Sequence, residues 1–117
     1  MNSTILKEKT KRFALSTAKF CDDLPTKYVF RAYSNQLIRA SSSVGANYRA
    51  ACRAKSKADF INKLKIVEEE ADECMFFLEL IEELKPELKE NIKLLHNEAE
   101  EILKITVSSI ITLRNKK

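Results

Sequence analysis

One glycine stands in the 117 residues, and it falls inside a helical pattern, not at a turn. Sheets, barrels and phosphate-cradling loops spend several glycines on tight turns and close backbone approach. A chain with one glycine and two prolines must therefore make few turns, which leaves long helices joined by short connections. A chain of this length buries roughly 65% of the surface it exposes when unfolded, so one core suffices and residues 1–117 read as a single domain.

The apolar residues recur at alternating spacings of three and four, the mark of one helical face. In the first segment they are Leu6, Thr10, Phe13, Thr17, Phe20 and Leu24, and Asp22 to Pro25 end it. Leu24, Pro25 and Thr26 are expected to open the second helix, because proline is tolerated in a first helical turn. Its stripe is Phe30, Tyr33, Leu37, Ala40, Val44, Asn47 and Ala51, widened by Ile38, Ser41, Gly45, Tyr48 and Cys52. Ser56 and Asp59, three apart, form a capping box that starts the third helix. Phe60, Leu64, Val67, Ala71, Cys74, Leu78 and Ile81 carry that helix towards Pro86, with Phe77, Leu80 and Leu84 broadening its end. The fourth begins between Pro86 and Ile92 and runs through Leu95, Ala99, Ile102, Thr106 and Ile110 to about Leu113. Four amphipathic helices with short connections bury their stripes most economically in an antiparallel up-down-up-down bundle, so the expected fold class is all-α.

Several chemistries fail on residue supply. A di-iron bundle needs two Glu-x-x-His pairs, whereas the one histidine, His96, follows Lys93 at that spacing. Cys21, Cys52 and Cys74 are spaced as neither a disulfide framework nor a zinc site, and read as small buried thiols. A phosphate loop and a Ser/His/Asp set are both missing from the sequence, so no enzymatic activity, cofactor or metal is expected. The longest uncharged stretch near the C-terminus, residues 105–113, is too short for a membrane span. Lys7, Glu8, Lys9, Lys11 and Arg12 lack the apolar run of a secretory leader, and a cytoplasmic protein is expected.

Charge is divided along the chain. Residues 1–57 hold 12 Lys/Arg against three Asp/Glu, and residues 58–117 hold nine against 14. Lys7 with Lys11, Lys27 with Arg31, and Arg49 with Arg53 are each four apart, so each pair shares a helical face, and Arg39, Lys55 and Lys57 add to them. Such clusters neutralise phosphates, so basic residues of helices one and two are expected to contact the backbone of RNA or DNA, with Lys27, Arg31, Arg39, Arg49, Arg53, Lys55 and Lys57 as the candidate contacts. A second reading stands beside it: the charged faces are consumed in self-assembly, or in docking a protein partner, as in heterologous contacts that close into rings. Tyr28, Tyr33 and Tyr48 are assigned to the interior or to interfaces rather than to base stacking.

Two further positions stand out. Asn47 lies on an apolar stripe, where a buried amide needs partners; Glu70 and Glu73 of the third helix are the candidates, giving a polar element within the core. Gly45, four residues from Ser41, is expected to admit close packing of another helix, within the bundle or between subunits.

The segment SSSVGANYRAACRAKSKADFINKL, residues 41–64, resembles the four-helix-bundle family of proteins encoded in intervening sequences of bacterial 23S rRNA genes. Leu24, Pro25, Tyr28, Gln36, Leu37, Arg39 and Ala40 resemble that family's start of helix two, and Glu69, Ala71, Glu73 and Leu78 to Leu80 its helix three. Where the family commonly has an acidic residue and a glycine after the Asn, this chain has Tyr48 to Arg53, a more basic run. The resemblance implies an antiparallel bundle assembled as a homo-oligomer, often a pentamer. It is similar also to the accessory variability protein of diversity-generating retroelements, a basic pentamer that binds nucleic acid and a reverse transcriptase. That likeness implies nucleic-acid binding as the leading expectation.

Overall fold

A computed structural model describes residues 2–116. Four helices follow one another: α1 (Ser3–Asp22), α2 (Tyr28–Ala51), α3 (Lys57–Leu84) and α4 (Lys89–Arg114), with a 3₁₀ turn (Pro86–Leu88) leading into α4. They form an elongated bundle of 50 × 20 × 19 Å. Antiparallel neighbours are pinned by cross-contacts at opposite ends. The Lys57 ammonium donates to the Lys116 carbonyl at 2.6 Å where α3 begins and α4 has ended. His96 of α4 meets Glu79, near the end of α3, at 2.8 Å.

Most positions of the predicted stripes form the core, with Phe30, Tyr33, Asn47 and Phe60 only half-buried. All six positions of the α1 stripe are buried, as are Leu37, Ala40, Val44 and Ala51 of α2, Leu64 to Ile81 of the α3 stripe, and Ile92 to Ile110 of the α4 stripe. The largest side chains wholly inside are Phe13, Leu37, Leu64, Leu78, Ile81, Ile92 and Ile102. α3 packs extensively on both α2 and α4, whereas α1 leans chiefly on α2 and touches α4 least.

The Ser56 cap and the expected start of α4 hold, and the start of α2 is adjusted. Ser56 caps α3, its Oγ accepting from the Asp59 amide at 3.1 Å, and Asn2 caps α1 by accepting from the Ile5 amide at 2.9 Å. α2 starts at Tyr28, later than the expected opening at Leu24 to Thr26. Leu24 is buried and its amide closes the end of α1 on Cys21, so the Leu24–Pro25 stretch is spent on turning the chain. α4 starts at Lys89, after Pro86 has taken the first position of the 3₁₀ turn, where its missing amide costs nothing.

Gly45 is helical, and α1 does pass beside it. A methyl placed there would meet Thr10 at 3.6–3.7 Å, an ordinary contact, so packing within the bundle does not demand glycine. Cys21 and Cys74 are buried and Cys52 is half-buried. Burial pushes the Cys21 thiol up to about 11 and the Cys74 thiol to about 12, the latter helped by the nearby Glu70 and Glu73 carboxylates.

Candidate nucleic-acid interface

α1 and α2 run antiparallel with Thr10 against Gly45, a register that brings the start of α1 beside the end of α2. Lys7 and Lys11 on one wall and Arg49 and Arg53 on the other therefore line a common open groove of about 790 Å³. Within each pair the side chains are one helical turn apart, about 6 Å along the axis. Thr4 and Ser42 supply exposed hydroxyls, and Ala14, Gly45 and Ala46 keep the surface between the cations low. Among the described residues Glu8 is the one acid on the groove, and its carboxylate accepts from the Arg12 guanidinium at 2.8 Å on its own helix.

Elsewhere, some cations are committed, Lys85 to Glu87 and Lys104 to Glu100 among them, whereas others such as Lys19, Lys27, Arg31, Lys63 and Lys65 stand singly with no ion-pair partner among the described residues. Arg39 donates to Glu70 at 3.2 Å and also pairs with Glu73, clamping α2 to α3. The hydrogen bond to Glu73, and then the Glu70 charge, hold its guanidinium more firmly protonated than usual. Lys9 pairs with Glu101 of α4. Lys7, Lys11, Arg49 and Arg53 have no ion-pair or hydrogen-bond partner among the described residues. Four unneutralised cations facing each other across a groove form an anion-attracting surface.

The candidate contacts separate on the structure. Arg49 and Arg53 are on the groove, and Lys55 is exposed in the connection that follows Arg53. Lys57 is at the same end but is held by the Lys116 carbonyl. Lys27 and Arg31 stand at the opposite end of α2, whose 24 residues span about 36 Å and separate Lys27 from Arg53 just beyond the helix end. Arg39 is engaged by Glu70 and Glu73.

That ion pair also corrects the expectation for Asn47. Its Nδ2 donates to the Ser43 carbonyl at 2.9 Å and the Ser43 hydroxyl at 2.8 Å, satisfied one turn back on its own helix. Glu70 and Glu73 are half-buried, as a pair pointing inward should be, but they face arginine and not the amide. Lys7 and Lys11 are the residues that the list of candidate contacts lacked. Their spacing is visible in the sequence; the wall they share with Arg49 and Arg53 is a product of tertiary register.

A second depression of about 400 Å³, between the end of α1 and the start of α4, is chiefly apolar, with Phe20, Leu24, Leu94 and Leu95 in its lining. Among the described residues no cluster of side chains is suited to holding a metal ion, and no helix is long and apolar enough to cross a membrane.

The model of the 23S rRNA-intervening sequence protein family matches residues 2–108, which include every residue of the basic groove. The chain belongs to that family. A crystal structure of a protein with unknown function from the S23 ribosomal protein family of Bacteroides thetaiotaomicron is similar throughout, with a TM-score of 0.85 and 34% identity. The likeness covers 94% of this chain and 98% of that one. No curated protein matches the chain. Membership in the 23S rRNA-intervening sequence protein family thus accounts for the bundle, and the function is argued from the groove.

Proposed function

We propose that this protein binds RNA or DNA through backbone phosphates and catalyses no reaction. The observation that carries this reading is the convergence of Lys7, Lys11, Arg49 and Arg53 on one groove while Lys9, Arg12 and Arg39 are spent on carboxylates. Cations left unpaired on facing helices repel one another; the phosphates of a polyanion neutralise them, and release of its condensed counterions drives the binding. Phosphate contacts fix register without reading bases, so weak sequence preference is expected.

The test is fluorescence anisotropy of labelled nucleic acid with the purified protein, at low and at physiological salt. Four phosphate contacts predict that log K falls against log salt with a slope of about −3.6 on duplex and about −2.8 on a single strand. Replacing Arg49 and Arg53 by Glu abolishes retention and leaves size-exclusion behaviour unchanged. A variant that instead dissociates an assembly while still binding nucleic acid assigns the same arginines to a contact between subunits, and the proposal fails.

A further inference from the structure

The groove has no aromatic wall. Its lining is Lys, Arg, Glu, Thr, Ser, Ala and Gly. Tyr48 is buried, Tyr33 packs on Phe77 with ring centroids 5.7 Å apart, and Tyr28, though 84% exposed, lies about 32 Å along α2 from Arg49. Proteins that hold single strands stack unpaired bases on aromatic faces, and this groove offers none. A double helix needs no such faces, because its bases are already stacked within and it presents outward ridges of phosphate.

The floor of the groove points the same way. Glycine weakens a helix interior, and the space at Gly45 would accept a methyl against Thr10 at 3.6–3.7 Å, so the bundle gains nothing from its absence. Its effect falls on the groove, where Gly45 and Ala46 leave a low surface between the two walls of cations. A backbone ridge can settle between those walls and meet Lys7 and Lys11 on one side and Arg49 and Arg53 on the other.

We infer that the ligand is double-helical RNA or DNA, one sugar–phosphate ridge of which seats in the α1–α2 groove over Gly45, in preference to a single strand. This rests on the phosphate-binding reading above and narrows it to a ligand class. Recognition is by shape and charge, and both kinds of duplex compete for one site.

The experiment is competition anisotropy on the full chain, with duplex RNA, duplex DNA and unstructured oligo(U) and oligo(dT) of equal length. Single strands are expected to require about tenfold more competitor than either duplex, the size of one stacking contact forgone. Gly45→Leu fills the floor and is expected to weaken duplex binding by about tenfold. Ala46→Leu, on an exposed position of the same groove, makes the same test should Gly45→Leu lose its helical circular dichroism. Single strands that compete as well as duplex overturn the inference, as do folded leucine variants that bind like the native chain. If Arg49→Glu with Arg53→Glu abolishes binding while those results hold, phosphate binding stands and only the duplex assignment falls. If charge reversal has no effect, both fall.

Discussion

Thr17 is wholly buried in α1, and its hydroxyl has no hydrogen-bond partner. Replacing it with valine keeps the shape and exchanges the hydroxyl for a methyl. A buried unpaired hydroxyl costs about 1–3 kcal/mol on protein scales, and a buried methyl contributes about 0.8 kcal/mol. Part of that sum is lost to imperfect repacking, so Thr17→Val should stabilise the bundle by about 1–2 kcal/mol. In a domain of this size the gain corresponds to roughly 4–8 °C in Tm. Thr106 is the control, equally buried, with its Oγ donating to the Ile102 carbonyl at 2.7 Å. Thr106→Val gives up a made bond and should range from neutral to about 1 kcal/mol of loss. Thermal and urea unfolding followed by circular dichroism, at matched protein concentrations, separates the two. A Thr17→Val chain that melts with or below the native one refutes the reasoning, and so does a Thr106→Val chain stabilised to the same extent.

Gly45→Ala should raise stability by about 0.5–1 kcal/mol in the same melts, because the methyl makes ordinary contact with Thr10 while the helix loses its least favourable interior residue. Ser56→Ala removes the cap on α3 and should cost about 1 kcal/mol, whereas Ser56→Asp should retain most of it. Of the three thiols, half-buried Cys52 should react with a disulfide reagent in the native protein while Cys21 and Cys74 wait for denaturant, and Cys52→Ser should remove the fast phase. The raised pKa values of Cys21 and Cys74 mean that the folded state keeps both protons longer than the unfolded chain does. The associated stability is therefore full below pH 9 and is lost as pH rises through about 11 to about 12, and Cys74→Ala should flatten that decline.

The bundle was legible because its information is periodic. Leu64, Val67, Ala71, Cys74, Leu78 and Ile81 can share a face only on a helix, and each is buried in α3. Ser56 marked its cap equally well, since a capping bond is local to three residues. What sequence could not supply was register between helices. Asn47 reads as needing a partner across the bundle, yet Ser43 lies one turn away and satisfies it. Arg39 reads as a free cation because nothing near it in sequence shows that Glu70 and Glu73, more than 30 residues on, sit opposite. Lys27 and Arg53 flank one helix, and its length places them at different ends of the molecule. The groove exists only because Thr10 faces Gly45, and that pairing of positions 35 residues apart fixes which basic pairs meet.

The charge that suits α1–α2 for binding should also strain it. Asn2 caps α1, but the first turn of the helix has no acidic residue to oppose the positive end of its dipole. Lys9 and Arg12 are neutralised by Glu101 and Glu8, which leaves Lys7 and Lys11 one turn apart on the face that looks towards Arg49 and Arg53. Like charges at that spacing destabilise a helix by a few tenths of a kcal/mol, and the facing arginines add to the repulsion. α1 also touches α4 least and carries the unpaired Thr17 hydroxyl, so it should be the first helix to open in hydrogen exchange. Added salt should then raise Tm by screening the groove, and duplex nucleic acid should protect the amides of α1 more than those of α3. Lys7→Glu with Lys11→Glu turns the repulsion against Arg49 and Arg53 into attraction, while the two introduced carboxylates, one turn apart, still repel each other. That variant should be more stable than the native chain by a few tenths of a kcal/mol, from the attraction across the groove alone, and it should no longer bind nucleic acid. A gain in stability together with loss of binding is the signature of cations kept for a ligand. A variant that binds poorly because it melts below the native protein would show instead that Lys7 and Lys11 serve the fold.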